Sequence, residues 1–193
     1  MDLVPMVFSS GWASGVNAYL VVLVLGIADR VGGFSSIPDS LGRTDVLVAA
    51  AALYAVEFVT DKIPYVDSTW DVVSTVTRPA IGTAIALLVS GDATTLHQAA
   101  YGALGGGTAL ASHLVKSGGR LAINASPEPV TNVVASLGED VAVVGVVLLA
   151  IQHPWLALCV SAVLLLAGAF VVYHLLRLVR RGWRRWKGRP APA

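Results

Sequence analysis

Glu57 and Asp61 stand one helical turn apart in "EFVTDK", with Lys62 next and Pro64 closing the segment. Two carboxylates at that spacing can share a proton or a cation, because each favours positive charge beside the other; the bland alternative is an interfacial helix end with Asp61 and Lys62 in water. Farther along, "DSTWDVVSTVTRP" (Asp67 to Pro79) and "EPVTNVVASLGED" (Glu128 to Asp140) write one polar pattern twice. On an α-helix, residues four, seven and eleven positions on share a stripe. That stripe holds Asp67, Asp71, Ser74 and Arg78 in the first copy and Glu128, Asn132, Ala135 and Glu139 in the second, each pair offset by 61. Arg78 and Glu139 thus occupy equivalent positions with opposite sign. They are expected to pair across a pseudo-two-fold axis, either as a buried register-fixing ion pair or beside a polar cavity. "GGGTALASHLVK" adds His113 and Lys116 at the end of a small-residue helix. Laying "AALYAVEFV" over "TALASHLV" puts Glu57 opposite His113, and these two are the candidate proton-handling pair.

No metal or catalytic pattern accompanies these residues. HExxH, paired-histidine and cysteine spacings are missing from the sequence, "GWASG" resembles a serine-hydrolase motif only loosely, and Gly105 to Gly107 lacks the lysine and hydroxyl of a phosphate loop. The sequence motivates no enzyme, metal or cofactor, and Cys159 has no cysteine to pair with.

Such charges need elements to hold them, and composition says where those elements lie. The 193 residues are 55% hydrophobic and only 13% charged, with mean hydropathy +0.73. Leu3 to Ala28 and His153 to Leu176 carry no Asp, Glu, Lys or Arg and exceed the length of about 20 residues that crosses a bilayer core. Between them lie apolar segments at 45–60, 79–90, 96–115 and 141–152; the second and fourth are too short alone and are lengthened by the polar helices before them. The expectation is an all-α polytopic membrane bundle of residues 1–176. Its pseudo-symmetric halves cover about 45–91 and 96–152, each with a helix broken near Pro79 or Gly138 or re-entering the bilayer. Ser126 with Pro127, and Asp67 or Ser68, are the expected helix starts. Loop charges favour six crossings with both termini inside, Lys62, Lys116 and Arg120 in the cytoplasm, and Arg30 and Arg43 outside. Met1 and Asp2 supply no basic region for a cleaved signal.

Residues 177–193 are a basic tail. Arg180, Arg181, Arg184, Arg185 and Lys187, interleaved with Trp183 and Trp186, suit a cytoplasmic segment lying on anionic lipid better than one on nucleic acid.

"GVNAYLVVLVLGIADRVG", "EFVTDKIPYVDSTWDVVSTVTRPAIG", "GGGTALASHLVKSGGRLAINASPEP" and "NVVASLGEDVAVV" together resemble the DUF4126 family of bacterial integral membrane proteins of unknown function. Asn17 departs from the arginine that the resemblance implies there. The resemblance implies a small multi-span protein of the cytoplasmic membrane and no reaction. Interrupted helices in matching positions of two halves are a pointer to a transport site. The residues therefore support a transporter or channel for an ion or small polar solute, with Glu57, Asp61, Asp67, Asp71, Arg78, His113, Lys116, Asn132, Glu139 and Asp140 along its path. Membrane lipid and a second copy of the chain are the expected partners. The rival readings are a structural or partner-binding membrane protein and a lipid-handling one.

Overall fold

The structure, a computed structural model, describes residues 3–34, 36–63, 66–124 and 129–187, with side chains at all of these except 122, 124, 129 and 179–187. Among the described residues there are six helices and no strand: α1 (Leu3–Gly32), α2 (Thr44–Thr60), α3 (Val66–Ser90), α4 (Thr95–Asn124), α5 (Pro129–Gln152) and α6 (Pro154–Lys187). Four stretches are long and apolar enough to cross a membrane: Leu3–Gly32, Val66–Ser90, Val130–Gln152 and Pro154–Leu178. The caps expected at Ser126 and Pro127, and the helix stop expected at Pro64, lie outside the described residues, as does Glu128.

The helix break is not where the polar stripes place it. α3 and α5 are each one continuous helix, α3 carrying Pro79 in its interior. Proline lacks only one backbone donor, and a kink at it is an option rather than a necessity when the flanking turns are packed. The interruption is in α1, at Asn17, whose backbone is extended (φ −152°, ψ 95°). The Asn17 side-chain oxygen accepts from the Leu20 backbone N–H at 3.1 Å, the bond by which an asparagine N-cap starts a helix. The chain therefore ends one helix at Val16 and opens another at Ala18.

Contacts fix how the two halves lie. Along the first half, Gly11 meets Gly105, Gly15 meets Ala109 and Ser112, and the Val16 carbonyl takes Lys116, so this half runs parallel to α4. α6 also runs parallel to α4, with Gly168 against Val115 and Val172 against Gly118. α5 returns against α6, since Glu139 and Ala142 stand level with Leu164 and Gly168 although only His153 joins the helices. The second half of α1 follows α5, from the Asn17–Asp140 bond to the shared surface of Ile27, Val31 and Leu148. The halves of α1 consequently run in opposite directions, as a hairpin with Asn17 at its tip. From there the order is α2 toward the tip side, α3 back, α4 forward, α5 back and α6 forward.

The hairpin is the core of the bundle. Eighteen of its residues are buried, and it packs against all five other helices. Its freedom from charge between Leu3 and Ala28 is what allows enclosure on every side. Close approach comes from small residues: a Cβ on Gly11 would lie 2.6 Å from the Gly105 carbonyl oxygen, and one on Gly105 would lie 2.7 Å from the Gly82 carbonyl oxygen. α1, α3 and α4 thus meet backbone to backbone, as small-residue faces allow in membranes. α6 is the reverse case, with Val163, Leu166, Phe170 and Tyr173 on its outer face exposed.

At the far end from the tip, Arg43 makes two bonds to Asp45, at 3.0 and 2.7 Å. The Arg43 guanidinium holds the Asp45 carboxyl below its usual range. The pair is fully in water, where such contacts contribute little.

Candidate functional site

The site is built around the tip of α1. Breaking a helix frees carbonyls from their usual donors, and at membrane depth those carbonyls must find others. Here cationic side chains supply them. Arg78 Nη1 donates to the Gly15 carbonyl (3.2 Å) and Lys116 Nζ to the Val16 carbonyl (3.0 Å). Ser112 donates to the Trp12 carbonyl at 2.7 Å. The break and the buried cations thus account for one another.

α2, α3, α4 and α5 carry the counter-charges. Arg78 Nη2 lies 2.5 Å from Glu57 Oε1, and Nη1 lies 3.6 Å from Asp71. Lys116 is 2.7 Å from Asp61, 3.3 Å from Glu139 and 3.9 Å from Glu57. Arg120 lies against Glu139 at 2.6 Å, donates to the Asp61 carbonyl (2.7 Å) and to Asn132 Oδ1 (2.9 Å), and is 3.9 Å from Asp67. Asp140 accepts from Asn17 Nδ2 (3.0 Å) and from the Tyr54 hydroxyl (3.3 Å). Arg78, Arg120, Glu57 and His113 are among the largest fully buried side chains.

His113 is locked by its neighbours. Arg78 Nη1 lies 2.8 Å from His113 Nδ1, and a guanidinium only donates, so Nδ1 accepts. The remaining ring proton then sits on Nε2, which donates to Thr75 Oγ1 at 3.0 Å, and Thr75 passes its own proton to the Asp71 carbonyl at 2.9 Å. Both ring nitrogens and the Thr75 hydroxyl are engaged, and the imidazole is neutral.

The network descends from one end of the bundle toward its middle. Asp67 and Arg78 are eleven residues apart on α3, about 16 Å along a helix. Two clefts reach it. One, of about 210 Å³ between α3 and α4, is lined by Ser68, Asp71, Thr75 and Ser117 among others. The other, of about 380 Å³ among α1, α4, α5 and α6, has mostly apolar walls and ends on Lys116, Arg120 and Glu139. Glu139 is the charge this second cleft presents, its side chain 24% exposed against 3% for Lys116 and 1% for Arg120.

All ten expected path residues gather here, but their pairing differs from the sequence reading. Arg78 pairs with Glu57 and Asp71, and Glu139 with Arg120 and Lys116; the expected Arg78–Glu139 pair is not formed, because each helix finds its counter-charge on the helix adjoining it. Glu57 and Asp61 share Lys116, at 3.9 and 2.7 Å, while the nearest partner of Glu57 is Arg78. Lys116 and Arg120, read as cytoplasmic loop charges, are buried on α4, which continues nine residues past Val115 to Asn124. Lys62 stays at the rim, half-buried, with Nζ 3.0 Å from the centre of the Phe58 ring. Sequence reasoning missed Arg120, Asn17 and Tyr54 as members. Arg120 had a signal, since His113, Lys116 and Arg120 are spaced three and four apart on one helical face. The tail side chains at Arg180, Arg181, Arg184, Arg185 and Lys187 lie outside those described.

Among the described residues, no three histidine, cysteine or carboxylate side chains come together to hold a metal ion. Comparison with curated proteins and with solved structures finds no match. The family model described as domain of unknown function DUF4126 does match, over residues 4–174, and through it the charged helices, the small-residue seam and the hairpin all fall inside one family: the chain belongs to DUF4126.

Proposed function

We propose that the protein moves a small ion or polar solute across a membrane, and that the buried charge network is its path. One observation carries this reading: five carboxylates (Glu57, Asp61, Asp67, Asp71, Glu139) surround three buried cations (Arg78, Lys116, Arg120) at the tip of a broken helix, where a sixth, Asp140, holds Asn17. Charge at membrane depth is expensive, and a purely structural network would be expected to balance its signs. An excess of acceptors at an interrupted helix suits a site that takes up positive charge in passing. In this reading the α1 hairpin re-enters the bilayer rather than crossing it, since each half, about 15 residues or 22 Å, is short for a core of about 30 Å. The α2–α3 and α4–α5 pairs then form parallel repeats around it, with their charges inverted: acids lead on α2 and bases on α4.

The test is flux in liposomes containing the purified protein, across a panel of ions and small polar solutes. Transport above protein-free vesicles that falls at least tenfold in Asp61→Asn or Asp71→Asn supports the reading. Unchanged flux in both variants, or none for any solute, rejects it. A lipid-handling alternative has the apolar cleft in its favour, but the exposed charge there is the Glu139 carboxylate, which repels an anionic headgroup.

A further inference from the structure

We propose that Glu57 is a proton-binding site, placed at the inner end of the charged network where it meets Arg78. The proposal rests on the transport reading for its purpose and names the transported or coupling ion; its chemistry rests on two observations of its own.

First, Glu57 is fully buried and only one of its oxygens is engaged. Oε1 meets Arg78 and Lys116, whereas Oε2 has no hydrogen-bond partner among the described residues. An ionised carboxylate is acceptor-only, and a buried oxygen without a donor bears its full desolvation cost; a proton there removes the charge that makes the cost large. Second, the excess of carboxylates calls for added positive charge, yet no metal-type cluster forms among the described residues. A proton is the cation that needs no coordination shell.

The groups that face Glu57 define how it titrates. α3 presents Arg78, with Asp71 behind it. α4 presents Lys116, and His113 beyond Arg78. From α2 itself come Asp61 and Tyr54, while α5 contributes Glu139 through Lys116 and Asp140 through Tyr54. The hairpin adds no charge. His113 is excluded as the carrier because both its nitrogens are already bonded in one tautomer.

The step balances simply. A hydronium ion gives its proton to Glu57 Oε2 and leaves water; an O–H bond forms, and the attraction of Arg78 for the neutralised carboxyl weakens. Return of the proton to a water molecule restores the carboxylate and its contact with Arg78.

Two measurements test this on the purified full chain. Infrared difference spectra between acidic and alkaline buffer report protonated carboxyl groups without any flux. Proton flux into liposomes, driven by a potassium diffusion potential with and without sodium, reports transport. We expect a protonated-carboxyl band in the wild type that is lost in Glu57→Gln and kept, shifted, in Glu57→Asp. We also expect proton flux that falls at least tenfold in Glu57→Gln. A band lost with Glu57 but no flux of any ion upholds the proton site and rejects transport. Flux that requires sodium and ignores pH, or a band that survives Glu57→Gln, overturns the proton site while leaving transport standing. If Glu57→Gln does not yield folded protein, Glu57→Asp decides: an unshifted band overturns the proposal, and a shifted one supports it.

Discussion

Arg78 shows how little slack the network has. It is 1% exposed, and its contacts tie α2, α4 and the α1 tip to α3. Removing one member of a buried ion pair strands the other, at a cost of about 3 to 5 kcal/mol. Arg78→Met should therefore destabilise the protein by about that much, and Glu57→Leu added to Arg78→Met should recover most of the loss; denaturation in detergent of the two variants measures it. Full additivity of the two substitutions would show that the pair is not coupled. Asn17 acts at the same scale through two bonds, as cap for Leu20 and as donor to Asp140. Asn17→Ala should lose about 1 kcal/mol for the cap and about 1 to 3 kcal/mol for the stranded carboxylate, whereas Asn17→Ser, which can still cap, should lose less. Equal losses in the two variants would count against the capping role. Most titratable members of the site were legible from type and spacing, Arg120 and Tyr54 excepted; Asn17 was not, because an amide in an apolar run reads equally well as packing.

At the scale of elements, the seam of Gly11, Gly82 and Gly105 decides whether the site assembles. Their backbones approach too closely for any side chain, and the atoms met at Gly105 include the Gly82 carbonyl and the Ala86 methyl group. Those atoms belong to packed helices and cannot swing aside. Gly105→Val should prevent α3 and α4 from closing, seen as loss of monodisperse protein. Gly107→Val, which meets nothing within 4 Å, should be tolerated. A stable Gly105→Val protein would refute the close approach. The small-residue character of α1 and α4 announces such packing in sequence. The break in α1 is not announced: Pro79 and Gly138 are the stronger local breakers, yet the helix that opens is the one whose freed carbonyls find Arg78 and Lys116 as donors.

Across the described residues, the directions of the helices place Leu3 and Arg177 at opposite ends of the bundle. With α1 folded back at Asn17, Leu3 lies on the side of Asp29, Asp39 and Asp92, and Arg177 on the side of Lys62. That arrangement differs from the expected six crossings with both termini on one side. In a Cys159→Ser background, a cysteine placed before Leu3 should react with a membrane-impermeant reagent from the face opposite to one at Arg177. Labelling of both from the same face would mean that α1 crosses, and the hairpin would be lost with it.

The sequence alone determined that the protein is helical, with stretches long and apolar enough to cross a membrane, and that it belongs with a particular family; it pointed to most of the charges that gather, though not to Arg120. Hydropathy and helical spacing are local properties, so they survive translation into structure with little change. Only the tertiary structure decided which charge meets which, and where the helix breaks. Ion pairs form with whatever the neighbouring helix presents, and a helix opens where its freed carbonyls find donors; both depend on groups from different helices arriving at the same depth, which no single stretch of the sequence contains.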